Sequence, residues 1–186
     1  MANQLAIFLG ELIRRPTQVV ALAPSSIALS EEMAAQVPQG DGAVVELGPG
    51  TGKITTALLN AGVPAKDLHL FELNPVFVSH LQAEFPGVAV HEDRAENAST
   101  YVDGPVKAVV SGLPLLSMPY EVQQAIVGGA FDLMGSDGRY IQFTYGPKPP
   151  VNERLRGELG LTWTKSRKIW GNLPPARVYT FTRSGN

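Results

Sequence analysis

Hydrophobic residues fall along this chain in short runs set between longer amphipathic stretches. Ala43 to Leu47, Leu68 to Glu72, Val88 to His91, Val106 to Ser111 and Arg139 to Tyr145 are apolar or β-branched runs of strand length. Between several of them, Lys53 to Ala61, Pro75 to Phe85 and Pro119 to Leu133 carry apolar residues at helical spacing. This alternation predicts βαβ units: a parallel sheet, helices on both faces, and a ligand crevice at the carboxyl ends of the strands. Leu161 to Trp170 and Arg177 to Thr182 alternate in polarity instead, separated by Gly171-Asn172-Leu173-Pro174-Pro175. They predict an antiparallel hairpin that closes a mostly parallel, seven-stranded, Rossmann-like α/β sheet.

The N-terminal part has its own pattern. Asn3 to Arg15 reads as a helix with Leu5, Phe8, Leu9, Leu12 and Ile13 on one side and Asn3, Gly10, Glu11, Arg14 and Arg15 on the other. Such an amphipathic helix suits a membrane interface, and equally a helix docked on its own domain. Glu11, Arg14, Arg15 and Pro16 interrupt the apolar run before it could span a bilayer, and its positive charges follow the apolar stretch, opposite to a signal peptide. After Pro24, Ser25 or Ser26 is expected to cap a second helix that runs to about Gln36, ended by Pro38-Gln39-Gly40. Residues 1–24 thus read as an interfacial segment and 25–186 as one domain, the number that 186 residues support.

Composition narrows the chemistry. With 44% hydrophobic and 17% charged residues the chain is built to fold, and zero Cys removes disulfides, thiolate metal sites and a cysteine nucleophile. The formal charge is only −2, but it is unevenly placed. From Arg139 onward nine basic residues face only Glu153 and Glu158, a local balance of +7, against −9 for the first 138 residues. The C-terminal quarter is therefore expected to meet something anionic.

The strongest local signal is Glu46-Leu47-Gly48-Pro49-Gly50-Thr51-Gly52-Lys53, a strand, a glycine turn and a helix start. A nucleotide-hydrolysing P-loop would need Gly at Leu47 and Ser or Thr at Ile54. A dinucleotide fingerprint would need Gly at Lys53 or at Thr55. Both fail. Glu72, at the end of the second strand, is placed where a carboxylate can accept both hydroxyls of a ribose, and Asp93 follows the third strand. Neither G-x-S-x-G nor H-E-x-x-H occurs, and His69, His80 and His91 sit on or beside ordinary elements.

The turn with its acidic partners resembles motif I of the class I S-adenosylmethionine-dependent methyltransferases. That resemblance implies S-adenosyl-L-methionine as cofactor and S-adenosyl-L-homocysteine as product. It implies a site built from Glu46, Gly48, Gly50, Thr51, Gly52, Glu72, Leu73, Asp93, Arg94, Ala95 and Ser111, with Asp93 near the adenine amine. After the fourth strand, Ser111-Gly112-Leu113-Pro114 stands where methyltransferases acting on nitrogen carry Asn-Leu-Pro-Tyr or Asn-Pro-Pro-Tyr. Ser111, Gly112 and Leu113 are thus the expected catalytic positions, orienting an amine toward a sulfonium methyl. Leu115 stands where base methyltransferases place a stacking aromatic, which favours an aliphatic amine over adenine.

With Pro24-Ser25-Ser26 and Tyr145-Gly146-Pro147 added, the chain is similar nearly end to end to the bacterial phospholipid N-methyltransferases. These act on phosphatidylethanolamine and its monomethyl and dimethyl forms, toward phosphatidylcholine. The resemblance implies a cytoplasmic enzyme held peripherally on the inner face of the membrane, with a phospholipid and an anionic surface as partners and no nucleic acid or metal. Leu5, Phe8, Leu9, Leu12 and Ile13 are the expected membrane contacts, and Tyr145, Lys148, Arg177 and Tyr179 the expected holders of the lipid phosphate. The competing expectations are an RNA adenine dimethyltransferase and a non-catalytic membrane-binding module.

Overall fold

The runs predicted within residues 26–184, the residues that the computed structural model describes, become its elements. Ser26 is the cap of α1 (Ile27–Ala35), its hydroxyl accepting the Leu29 N–H at 3.2 Å. There follow β1 (Ala43–Leu47), α2 (Lys53–Asn60), β2 (Leu68–Glu72), α3 (Pro75–Glu84), β3 (Ala89–Glu92) and β4 (Val106–Ser111). Asn74 caps α3 through Val76, with Pro75 in its first turn, where a missing N–H does no harm. Next come α4 (Tyr120–Gln123), a π-helical turn (Gln124–Gly128) and α5 (Gly129–Met134), which together form the helix expected from Pro119 to Leu133. The chain ends with β5 (Arg139–Thr144), α6 (Glu153–Glu158), β6 (Leu161–Lys165) and β7 (Arg177–Arg183).

The seven strands form one sheet in the order β3-β2-β1-β4-β5-β7-β6, parallel except where β7 runs against β5 and β6. Side chains alternate between two cores. Val45, Leu47, Val109, Tyr140, Tyr179 and Phe181 pack with Phe131 of α5, while Val44, Ala108, Val110, Ile141 and Val178 pack with Leu29, Met33, Ile54 and Leu58. Burial of both sheet faces is what continuous apolar strands require.

Two differences from expectation have local causes. The first hairpin arm stops at Lys165, because the Ser166 hydroxyl accepts the Val178 N–H at 3.0 Å and turns the ladder aside; one bridge, Ile169 to Ala176, resumes it. Helix α6 is too short for periodicity to announce, and forms because the Asn152 side chain accepts the Arg154 N–H. Among the described residues no helix is long and apolar enough to cross a membrane. Residues 1–25, and with them the expected helix and its contacts Leu5, Phe8, Leu9, Leu12 and Ile13, lie outside the described residues.

Candidate active site

Strand register brings the chemistry-bearing residues to one rim. Leu47 pairs with both Phe71 and Ser111, Glu72 with Glu92, and Ser111 with Gln142, so the loops after β1, β2, β3 and β4 open side by side. The ladders continue into the turns: Gly48 N–H donates to the Phe71 carbonyl at 2.9 Å, and Gly112 N–H to the Leu47 carbonyl at 2.8 Å.

The glycines of the β1 turn are required by shape. Gly48, Gly50 and Gly52 have φ of 68°, 55° and 79°, in the left-handed region that costs other residues about 1–2 kcal/mol. Beyond conformation, a Cβ on Gly48 would stand 2.6 Å from Leu113, and one on Gly52 would stand 2.4 Å from the Phe85 ring. Gly50 differs: among the described residues nothing lies within 4 Å of where its Cβ would be. The turn is packed from below and open above.

Glu72 holds this turn in place. Its Oε2 accepts the Gly50 N–H at 3.1 Å, while Oε1 accepts the N–H groups of Leu73 and Asn74 at 2.8 and 2.9 Å. Glu46 lies beneath, wholly buried, with Oε2 accepting from Thr55 of α2 at 2.7 Å and Oε1 without a partner among the described residues. Burial, with the nearby Glu72 charge adding to it, pushes the Glu46 carboxyl up to about 8. Asp93 accepts from Tyr101, from the Arg94 N–H and from Asn97, and these bonds hold its carboxyl below the usual range. Arg94 lies near Glu96 at 3.7 Å, and Ala95 begins a short 3-10 helix. Thr51 is exposed beside the turn.

These residues fit the nucleoside donor that the sequence implies. Open space above Gly50 and half-buried carboxylates at Glu72 and Asp93 supply room and acceptors for hydroxyls and amines along one edge, while Glu46, wholly buried beneath, is bonded to Thr55 of α2.

The acceptor side adjoins it. A cavity of about 210 Å³ opens at the carboxyl ends of β4 and β5, lined mainly by Leu113, Pro114, Leu116, Phe143, Tyr145 and Pro150. Gly112 also lines it, and a Cβ there would stand 2.6 Å from the Gly48 carbonyl oxygen, so the two turns touch backbone to backbone. Gln142, which the sequence reading missed, is almost wholly buried and donates to the Leu113 carbonyl at 2.9 Å. A lone amide in an apolar strand needs partners, and that was the signal to follow. Tyr101, Asn97 and Thr55, which fix the two acids, were missed as well.

Two expected site residues are placed elsewhere. The Ser111 side chain is wholly buried, and its hydroxyl accepts the Leu113 N–H at 3.3 Å, so it shapes the turn and does not face the cavity. Tyr179 is also wholly buried, its hydroxyl donating to the Pro147 carbonyl at 3.3 Å, so it belongs to the core and cannot hold a phosphate. Of the other three expected phosphate holders, Tyr145 lines the cavity, its phenol pushed up by burial; Lys148 is exposed on the following turn; and Arg177, in register with Thr144, donates to the Ser166 carbonyl at 3.1 Å. Among the described residues, no three His, Cys, Asp or Glu side chains gather in a metal-binding group.

No family model matches the chain. It is 32% identical over 183 residues to an ornithine lipid N-methyltransferase of Singulisphaera acidiphila, the match covering 93% of each chain. Among solved structures it superimposes on an rRNA methylase of Streptococcus thermophilus with a TM-score of 0.62 at 20% identity, over 88% of this chain and 99% of that one. A magnesium protoporphyrin IX methyltransferase of Synechocystis, solved with bound S-adenosylmethionine, gives 0.63 at 16% identity over 84% and 77%. A glycopeptide N-methyltransferase, also with bound S-adenosylmethionine, gives 0.66 at 11% over 87% and 96%. At these identities the three structures establish the fold.

Proposed function

The chain belongs to the family of the ornithine lipid N-methyltransferase and has the class I methyltransferase fold, and from that premise we propose that it methylates the head-group amine of a membrane aminolipid. Phosphatidylethanolamine, with its monomethyl and dimethyl forms, is the acceptor that the sequence resemblance implies; the relative's substrate is an ornithine lipid. Both present an aliphatic amine a few bonds from an anion.

The observation that carries this reading is the contact between the two turns. Gly112 touches Gly48 through backbone alone, so the apolar cavity opens directly beside the glycine turn. Bound there, S-adenosylmethionine supplies an electrophilic sulfonium methyl, and S-adenosylhomocysteine is what remains after its transfer to nitrogen. The protein's part is to hold, orient and exclude water. Glu72 and Asp93 would accept from the nucleoside's hydroxyls and amine, and Glu46, buried beneath the glycine turn, ties it to α2 through Thr55. On the acceptor side the Leu113 carbonyl is occupied by Gln142, which leaves the Gly112 carbonyl to accept an N–H of the amine. The ammonium proton goes to water, with no dedicated base. Tyr145, Lys148 and Arg177 meet the head-group anion.

The test is to incubate the protein with methyl-labelled S-adenosylmethionine and vesicles that contain both aminolipids, then separate the lipids. Label in methylated aminolipid is expected. Label in added RNA and none in lipid would overturn the reading, and vesicle binding without any product would make this a non-catalytic module.

A further inference from the structure

The loop between β6 and β7 exposes large apolar side chains on a rigid support. Trp170 is 72% and Leu173 81% exposed, and Ile27 at the start of α1 is 75% exposed. The support is well bonded. Ile169 and Ala176 bridge, and the buried Asn172 donates to the Pro174 carbonyl at 2.8 Å while accepting the Ser26 N–H at 2.8 Å. The loop and the start of α1 are therefore one surface. Polar side chains hold its inside while its outside carries a tryptophan and a leucine.

Charge accompanies this apolar tip. Lys165 at the end of β6 and Arg167 and Lys168 after it are exposed, no acidic residue occurs after Glu158, and the Lys168 ammonium lies 4.4 Å from the centre of the Trp170 ring. An indole flanked by cations is the composition found at the boundary between lipid head groups and acyl chains. Position adds a third observation. Because β7 runs antiparallel, its first residue Arg177 pairs with Thr144, which lines the cavity, so the loop stands on the same rim as the cavity.

We propose that the Ile169–Ala176 loop, with Trp170 and Leu173 as its inserted tip and Arg167 and Lys168 on the head groups, docks the protein on an anionic bilayer with the cavity facing the lipid. The inference rests on the aminolipid reading for its purpose, but its test does not depend on methyl transfer. The chain has two Trp, so in a Trp163→Phe variant Trp170 alone emits. Adding phosphatidylglycerol vesicles should shift its emission to the blue, and lipids brominated on the acyl chain should quench it. A double variant, Trp170→Ala with Leu173→Ala, should partition onto these vesicles about tenfold less or weaker still, given the apolar surface removed. It should still bind S-adenosylhomocysteine as the parent does.

Unshifted, unquenched Trp170 emission on vesicles that the full chain sediments with would overturn the proposal. So would a shift that appears without lipid as protein concentration rises, which would make the surface a contact between copies, or a shift with RNA and none with vesicles. Aminolipid methylation with a silent Trp170 would sink the loop and spare the function. Quenched Trp170 with no methylated lipid would do the reverse.

Discussion

Gly112→Ala tests whether the two turns are held in register by their contact. Gly112 N–H donates to Leu47 and Gly48 N–H to Phe71, so neither backbone is free to yield. The added Cβ would meet the Gly48 carbonyl oxygen at 2.6 Å, whereas a carbon and an oxygen rest at about 3.3 Å or more. The acceptor turn must therefore move away from the glycine turn by about 0.7 Å. Overpacking of this kind costs about 1–3 kcal/mol of stability, and a misplacement near 1 Å costs about a hundredfold in rate. Turnover of labelled methyl into aminolipid should fall by about 30- to 100-fold, or about 2–3 kcal/mol on the barrier. Donor affinity, read separately by calorimetry, should change much less. Gly62→Ala is the control. Gly62 has φ of 93° with nothing among the described residues within 4 Å of its Cβ position, so the variant should lose about 1–2 kcal/mol in urea unfolding and keep its turnover. If Gly112→Ala turns over within threefold of the parent, the contact does not position the acceptor and the reasoning is wrong.

Three further outcomes follow from the acids. The Glu46 carboxyl stands at about 8 in the folded protein against an ordinary value of 4.5, so the folded chain binds the extra proton across that window and loses stability as pH rises through it, by a few kcal/mol at about 1.4 per unit. Glu46→Gln should flatten urea midpoints between pH 5 and 8, and a parent equally stable at both ends would contradict the burial argument. Glu72→Ala strips the acceptor from the N–H groups of Gly50, Leu73 and Asn74, and should weaken S-adenosylhomocysteine binding at least about tenfold by calorimetry; unchanged affinity would remove Glu72 from the site. Tyr101→Phe deletes the leading cause of the depressed Asp93 carboxyl, so carboxyl NMR should show Asp93 titrating at higher pH, and an unmoved titration would show that the phenol does not matter.

Strand ends were legible because each apolar run stops at a residue that stops strands: Gly48 after β1, Gly112 after β4 and the Asn74-Pro75 pair after β2. The glycine turn and Glu72 could be paired from sequence for that reason. Tyr179 could not be placed. Alternation from Arg177 to Thr182 suggests one wet face, yet β7 lies between β5 and β6 with Tyr179 and Phe181 buried on one side and Val178 and Thr180 on the other. Where both faces are covered, period two no longer separates inside from outside. The Ser111 hydroxyl was equally hard to place, because it is taken up by its own turn, where it accepts the Leu113 N–H. Gln142 was legible only as an amide in need of a partner, because that partner, the Leu113 carbonyl, is brought to it by the β4–β5 pairing.

The most direct measurement is a calorimetric titration of the full chain with S-adenosylmethionine, run beside Glu72→Ala. One saturable site in the parent and a markedly weaker one in the variant is the predicted result. No heat from a parent whose unfolding transition shows it folded would contradict the account.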